Sequence, residues 1–472
     1  MTRRTKIIAT IGPASESPET LRAMVDAGMD VARIGLAHGS LEEALGRFHR
    51  VRQVAREAGK RVGTLVDLPG PKVRTASFGT GGVELIANTE VEIRVGDHRS
   101  TAEAVEVDYE NLLHDMAGGD QVALGDGQVL LEIIDVGADK ARARVLHGDM
   151  VHGRPGFRIP SDRLSLGTPT REDLRALDAF LDEGVDMVAL SFVRSGHDVR
   201  RMGVEPHPTG PLVIAKIETR AAVDNLAGII EASAGIMVAR GDLGTECRIE
   251  ETPHLQKQII RECIAGGLPV ITATQMLDSM VQASTPTRAE ASDVANAVFD
   301  GSSAVMLSAE TAIGAHPAAT VGTMARIAQR ADEEFDYVRW GESIRRLRMT
   351  DANAPKSITD AMTGAAANAA NELNMAAIIC ISASGFTVRS MARFRPQTPI
   401  LGFSTSDRTA HQLTLSWGVT PMLAQNRSSY EDRLADALGQ AQKAGYIRSG
   451  DIVAVLAGMA QATDALRLVR ID

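Results

Sequence analysis

The chain has 472 residues, of which 44% are hydrophobic, 23% charged and only 3% aromatic, and its formal net charge is −10. At roughly 150 residues per domain there is room for about three domains, and the ordinary apolar share excludes a disordered or fibrous chain. The acidic balance and the sparse aromatics argue against nucleic-acid binding, and no apolar run approaches the roughly 20 residues of a membrane helix.

The basic start, Met1 to Lys6, leads into a short apolar run that reaches Gly12-Pro13. It reads as a first strand rather than a signal peptide. Eight such runs recur: Lys6–Ile11, Val31–Leu36, Gly63–Asp67, Met187–Val193, Leu212–Ile217, Gly235–Ala239, Pro269–Thr274 and Ser303–Ser308. Near-continuous apolar runs of this length suit strands buried on both faces. Helical patterns lie between most of them, as in Pro18–Gly28 and Thr170–Gly184, which open on Pro or a capping residue and close on Gly. Eight strands alternating with helices predict a (β/α)8 barrel over residues 1–74 and 156–333.

One connection is too long for a loop. Residues 75–155 alternate apolar and polar positions, in Val91–Val95, Gln128–Ile134 and Arg142–Leu146, with turn signals at Gly81-Gly82 and Gly125–Gly127. They predict a small inserted β domain. Residues 334–355 are polar and mixed in charge, and read as a connection. An α/β domain is expected over residues 354–472, with an alanine-rich helix from Ser357 and strands at Ala376–Ser382, Pro399–Phe403 and Asp451–Leu456. The three cysteines, Cys247, Cys263 and Cys380, have no CxxC spacing, so free thiols in a reducing cytosol are expected.

In a barrel of this kind the active site lies at the C-terminal ends of the strands. The polar residues there are Arg33, Asp67, Ser191, Lys216 with Glu218, Arg240 with Asp242, Thr274 with Gln275, and Ser308 with Glu310. Such a set suits anionic chemistry. Glu218 and Asp242 can hold Mg2+ or Mn2+. Lys216 can neutralise a phosphoryl oxygen or an enolate. Arg33 and Arg74 can grip phosphate or carboxylate, and Arg240-Gly-Asp-Leu-Gly244 lets backbone approach a small ligand. Singly, each residue reads first as an ordinary ion pair or solvated side chain; together at one mouth they do not.

The longer motifs are more specific. Lys6–Ser15, Asp67–Arg74, Leu190–Arg194, Ile214-Ala-Lys-Ile-Glu218, Met237–Gly244, Ala273–Met280 and Pro286–Val298 follow one another in an order that resembles the pyruvate kinases along nearly the whole chain. The resemblance implies phosphoryl transfer from phosphoenolpyruvate to ADP, with Mg2+ or Mn2+, in a cytoplasmic homotetramer. It implies that Lys216 stabilises the transferring group, that Glu218 and Asp242 hold the metal, and that Arg33 contacts phosphate. Gly241 and Thr274 would bind the substrate carboxylate, with Thr274 near the proton route. Arg74 and His38 would lie on the nucleotide side, and the inserted domain would act as a lid.

Departures are local. Where the family reads Arg-x-Asn-x-Ser-His-Gly, this chain has Arg33-Ile-Gly35-Leu-Ala37-His38-Gly39, so two side-chain oxygens for K+ and nucleotide are missing. Where the family often reads Asp-Thr-Lys-Gly-Pro-Glu, this chain has Asp67-Leu68-Pro-Gly-Pro-Lys72. Lys72 is expected to replace the monovalent cation, so that K+ is not required, with Asp67 paired to Lys72 or Arg33. A lysine expected near the return to the barrel is absent, and Arg154 is the nearest substitute. The turn Ser382-Ala-Ser384-Gly385-Phe-Thr387 resembles the family's effector phosphate loop. The segment from Met459 to Asp464 is shorter than the family's effector loop, so sugar-phosphate regulation is not expected. Two other readings remain: a catalytically weakened paralogue that binds phosphoenolpyruvate, and a metal-dependent lyase or aldolase working through a pyruvate enolate.

Overall fold

The computed structural model describes residues 3–125, 127–160, 163–350, 357–427, 429–458 and 463–472. The eight apolar runs become strands β1 (Lys6–Thr10), β2 (Val31–Gly35), β3 (Gly63–Leu68), β4 (Met187–Leu190), β5 (Leu212–Ile217), β6 (Gly235–Ala239), β7 (Val270–Ala273) and β8 (Ala304–Leu307). They pair in parallel and in sequence, and β8 returns to β1 to close the barrel. Ile8, Leu65, Met187, Ile214, Met237, Ile271 and Met306 fill its interior. The helices around it start and stop where their caps say. Ser17 accepts from the Thr20 amide before Pro18–Ala27, and Gly28 ends that helix at φ 115°.

The insertion is a six-stranded sheet in the order Phe157–Arg158, Gln121–Leu124, Val129–Val136, Ala141–His147, Glu90–Val95, Ala104–Val107. Its alternating sequence buries one face: in Ala141–His147 the residues Ala141, Ala143 and Val145 are buried and those between are exposed. The chain enters and leaves through a ribbon in which Arg74 faces Gly156 as an antiparallel bridge.

The C-terminal sheet has the order Val419–Leu423, Ile400–Ser404, Ala377–Ile381, Ile452–Ala457, Ala465–Arg470, parallel except for the last strand. It docks on the barrel floor, where Leu415 joins the interior cluster. Gly63 is needed there, because a Cβ would lie 2.3 Å from the Thr414 hydroxyl oxygen.

The stretch read as a connection contains a helix, Tyr337–Thr350. Tyr337 and Ile344 are buried, and Trp340 packs beside Phe335. This apolar stripe recurs every third or fourth residue and makes the segment an amphipathic helix despite its many arginines. The three cysteines are free and buried. Among the described residues no helix is long and apolar enough to cross a membrane. Of the segment from Met459 to Asp464, residues 459–462 lie outside the described residues.

Candidate active site

The C-terminal ends of the strands open into a cavity of about 830 Å3 under the inserted sheet, lined among others by Arg33, His38, Asp67, Lys72, Lys216 and Asp242. Alternation along each strand brings the charged residues inward. Arg33 sits at the end of β2, Asp67 at the end of β3 and Lys216 near the end of β5, each surrounded by apolar neighbours.

Lys216 is the centre of the network. Its ammonium donates to Ser191 Oγ at 2.7 Å and lies 2.9 Å from Glu218 Oε1 and 3.3 Å from Asp67 Oδ1. Burial works against its charge, but Asp67 and Glu218 outweigh burial and raise the pKa above the ordinary lysine value. Burial alone would raise Asp67, but Arg33 and Lys216 reverse this and hold the carboxyl below its usual range. Arg33 donates through Nε to Asp67 at 2.7 Å and through Nη1 to Thr10 Oγ1 at 3.0 Å. Of the two partners expected for Asp67, the structure pairs it with Arg33.

Glu218 Oε2 accepts from the Phe192 amide at 2.7 Å, and the buried Oε1 is left with the Lys216 ammonium at 2.9 Å. Burial, with Asp242 adding to it, pushes the Glu218 carboxyl up to about 7. Two buried carboxylates close together, one of them ion-paired to Lys216 through Oε1, fit a divalent cation that takes its remaining ligands from substrate and water. Among the described residues no group of three or more His, Cys, Asp or Glu forms a metal site.

Asp242 opens the short helix Arg240–Glu246, and Arg158 from the inserted sheet is paired with it. The same guanidinium donates to Thr245 Oγ1 at 2.8 Å. Burial raises the Asp242 pKa, but Arg158 and then Lys216 bring it below its usual range. Sequence reasoning gave Arg158 no role. Strand Phe157–Arg158 follows the return from the insertion, and only three-dimensional closure reveals its target.

Thr274 and Gly241 meet one layer away. The Gly241 amide donates to Thr274 Oγ1 at 2.8 Å, and that hydroxyl donates to the Ala273 carbonyl at 2.7 Å. Thr274 and Gln275 have φ of 65° and 52°, left-handed values that cost energy for side-chain-bearing residues. Arg240 holds them there, donating to the Thr274 carbonyl at 2.7 Å while pairing with Asp293. Arg240 therefore turns away from the cavity, contrary to its expected place at the mouth. Glu310 also turns away and accepts from the Ser308 and Leu277 amides.

On the far side of the cavity, burial lowers the His38 pKa, and the charges of Lys72, Arg74 and Arg33 lower it further. Arg74 donates to the Ala37 carbonyl at 3.3 Å and so ties the β2 loop to the neck of the insertion. Leu68 is fully buried in the core and presents no polar side-chain atom to this region. Arg154 pairs with Asp108 within the insertion instead of entering the cavity. In the C-terminal domain Gly385 has φ 73°, the Thr387 hydroxyl bonds that of Thr463, and Ser384 Oγ accepts from the Phe386 amide at 3.4 Å. That turn lies on the C-terminal sheet, apart from the barrel mouth.

Cations and paired carboxylates at the mouth of a parallel barrel, covered by a β insertion, suit a phosphotransferase. The family model for the pyruvate kinase barrel domain matches residues 2–321, and that for the pyruvate kinase alpha/beta domain matches residues 360–469. The chain belongs to the pyruvate kinase family. It is 39% identical over 474 residues to a pyruvate kinase of Bacillus licheniformis, covering 99% of this chain and 80% of that one. It is 39% identical over 462 residues to one of Sporosarcina psychrophila, covering 97% and 78%. A crystal structure of a pyruvate kinase from Cryptosporidium parvum superposes with a TM-score of 0.91 at 33% identity, covering 100% of this chain and 96% of that one. The family generally uses Mg2+ and K+.

Proposed function

We propose that this chain transfers the phosphoryl group of phosphoenolpyruvate to ADP, giving ATP and pyruvate, as a cytoplasmic glycolytic homotetramer. The bond from phosphorus to the enol oxygen breaks, a bond to an ADP oxygen forms, and the enolate left behind takes a proton at carbon.

The reading rests above all on Lys216, a buried ammonium held by Ser191, Asp67 and Glu218 on the cavity wall. It neutralises charge on the transferring group and on the enolate oxygen. Arg33, fixed by Asp67 and Thr10, grips the substrate phosphate. The Gly241 backbone and the Thr274 hydroxyl face the substrate carboxylate, and the Thr274 hydroxyl lies on the proton route. Glu218 and Asp242 hold Mg2+ or Mn2+, which when bound supplies Lewis-acid neutralisation of the anionic oxygens. Arg74 and His38 flank the nucleotide, and the insertion excludes water as a lid.

Lys72 takes the part of the monovalent cation. Gly35 and Ala37 offer no side-chain oxygen, and Lys72 shares the cavity wall with His38. K+ is then dispensable. The turn Ser382–Thr387 is the candidate effector phosphate loop, although its Thr387 hydroxyl is engaged by Thr463.

The test is pyruvate formation from phosphoenolpyruvate, ADP and Mg2+ with and without K+. Turnover independent of K+ is expected. A many-fold rise on adding K+ overturns the role of Lys72. No turnover, with phosphoenolpyruvate still bound, supports the second reading of a weakened paralogue, which the missing oxygens at Gly35 and Ala37 favour.

A further inference from the structure

Away from the mouth, the barrel floor meets the C-terminal helix Phe386–Ala392 and the turn that follows it. Three arginines are buried there: Arg389, Arg393 and Arg395. Arg393 is paired with Asp360. The other two reach only carbonyls and rings. Arg389 Nη2 donates to the Ser384 carbonyl at 3.0 Å, and Arg395 Nη2 to the Ser302 carbonyl at 2.8 Å. The rings of Phe335, Trp340 and Trp417 enclose the Arg395 guanidinium, with centroids at 5.1, 5.0 and 4.8 Å.

Asp332 attracts the Arg395 charge, but burial outweighs it. Asp332 accepts from the Arg4 and Thr5 amides at 2.7 and 2.9 Å and from Thr5 Oγ1 at 2.8 Å, so both its oxygens are engaged. Burial lowers the pKa of Arg389 and of Arg395 to about 10, values at which both remain charged at neutral pH. The neighbouring His207, held neutral by burial and then by Arg389, brings no compensation. A buried guanidinium whose charge is only partly offset is costly.

Residues that carry unmet donors share one chamber. Arg389 Nη1, Arg395 Nη1, Ser416 Oγ and Trp417 Nε1 are buried and have no hydrogen-bond partner among the described residues. Their four residues, with the Asp360-paired Arg393, line a cavity with about 10 Å3 open to the centre of a water-sized body, and no Asp or Glu lines it. That is room for about one body of water's size. A water has two lone pairs for four donors and must itself find acceptors for two hydrogens. An anion accepts from all four and offsets the charge.

We propose that the interface between the barrel floor and the C-terminal domain is a binding site for one small inorganic anion of chloride's size, held by Arg389, Arg395, Ser416 and Trp417. The ion joins Arg395, fixed on the carbonyls just before β8, to Arg389, fixed on the Ser384 turn. It is thus a bridge between the two domains.

Crystals of the full chain grown in bromide test this by anomalous scattering. A bromide peak in the chamber is expected; water-level density without anomalous signal overturns the proposal. In solution, the melting temperature of the full chain is followed as chloride replaces gluconate at constant ionic strength. A saturable rise is expected, and a melting temperature indifferent to halide overturns the proposal. Arg389→Met should abolish the halide dependence. Should that variant not fold, Ser416→Ala keeps both charges and should raise the halide midpoint roughly tenfold, the loss of one hydrogen bond to a charged partner. An unchanged midpoint in Ser416→Ala removes the serine from the site.

Discussion

Arg158, carried on the insertion, lays its guanidinium on the carboxylate of Asp242 at the barrel mouth. It stands where a divalent cation would approach that carboxylate. Arg158→Gln removes the competitor, so Mn2+ should bind the substrate-free protein about five-fold more tightly, the worth of one partly exposed ion pair. Titration of Mn2+ followed by electron paramagnetic resonance reads this directly. Unchanged or weaker binding would show that the guanidinium does not compete.

Lys216→Met should cut turnover by about a thousand-fold, because the transferring charge loses its buried cation. Mn2+ binding should survive, since both carboxylates remain. Leaving Asp67 and Glu218 without their shared partner should also cost stability, on the order of 3 kcal/mol. Turnover, metal titration and thermal melting separate the three effects.

A Lys72→Glu variant should acquire a requirement for K+. Without it, turnover should fall at least about ten-fold, and added K+ should restore it. A variant equally active in both conditions would leave the lysine without a cation role.

The left-handed pair Thr274 and Gln275 depends on Arg240, which grips the Thr274 carbonyl from outside the cavity. Arg240→Met should let the loop relax and lower kcat by roughly ten- to a hundred-fold through misplacement of the Thr274 hydroxyl. The KM for ADP should hardly move, because the nucleotide side of the cavity is untouched. A shift in KM alone would point to a general loosening of the fold instead.

His207 gives a pH signature of stability. Its pKa is lowered from 6.5 to about 4 by burial and by Arg389. Above pH 6.5 neither the folded nor the unfolded chain protonates it. Between pH 6.5 and 4 the unfolded chain takes the proton and the folded chain does not, so stability falls as pH falls. The loss is complete below pH 4 and amounts to at most about 3 kcal/mol. His207→Gln should flatten this part of the melting profile; a profile as steep as the parent's would assign the slope to other groups.

The barrel was legible because its strands are apolar on both faces, as Ile7 and Ile8 or Val213 and Ile214 show. The edge strands of the C-terminal sheet were not. Val419–Leu423 carries Pro421, which edges tolerate, and Ala465–Arg470 carries arginines at Arg467 and Arg470. The helix Tyr337–Thr350 was hidden by its charge, although Tyr337, Trp340 and Ile344 keep helical spacing. At the mouth, Lys216 and Glu218 fall two residues apart along one strand end, a proximity visible in the chain itself. Arg158 meets Asp242 across 84 positions, and nothing local announces that contact. Arg240 and Glu310 sit at strand ends like the cavity residues, but neighbouring backbone groups claim their side chains.

The neck of the insertion has one more consequence. Its two strands are sewn together, with the Thr75 amide on the Pro155 carbonyl at 3.0 Å and the Phe157 amide on the Val73 carbonyl at 2.9 Å. Lys72 leads into one strand and Arg158 closes the other. The two cations ride on opposite arms of a single strap. A swing that lifts Arg158 from Asp242 would pull on the strap that also carries Lys72.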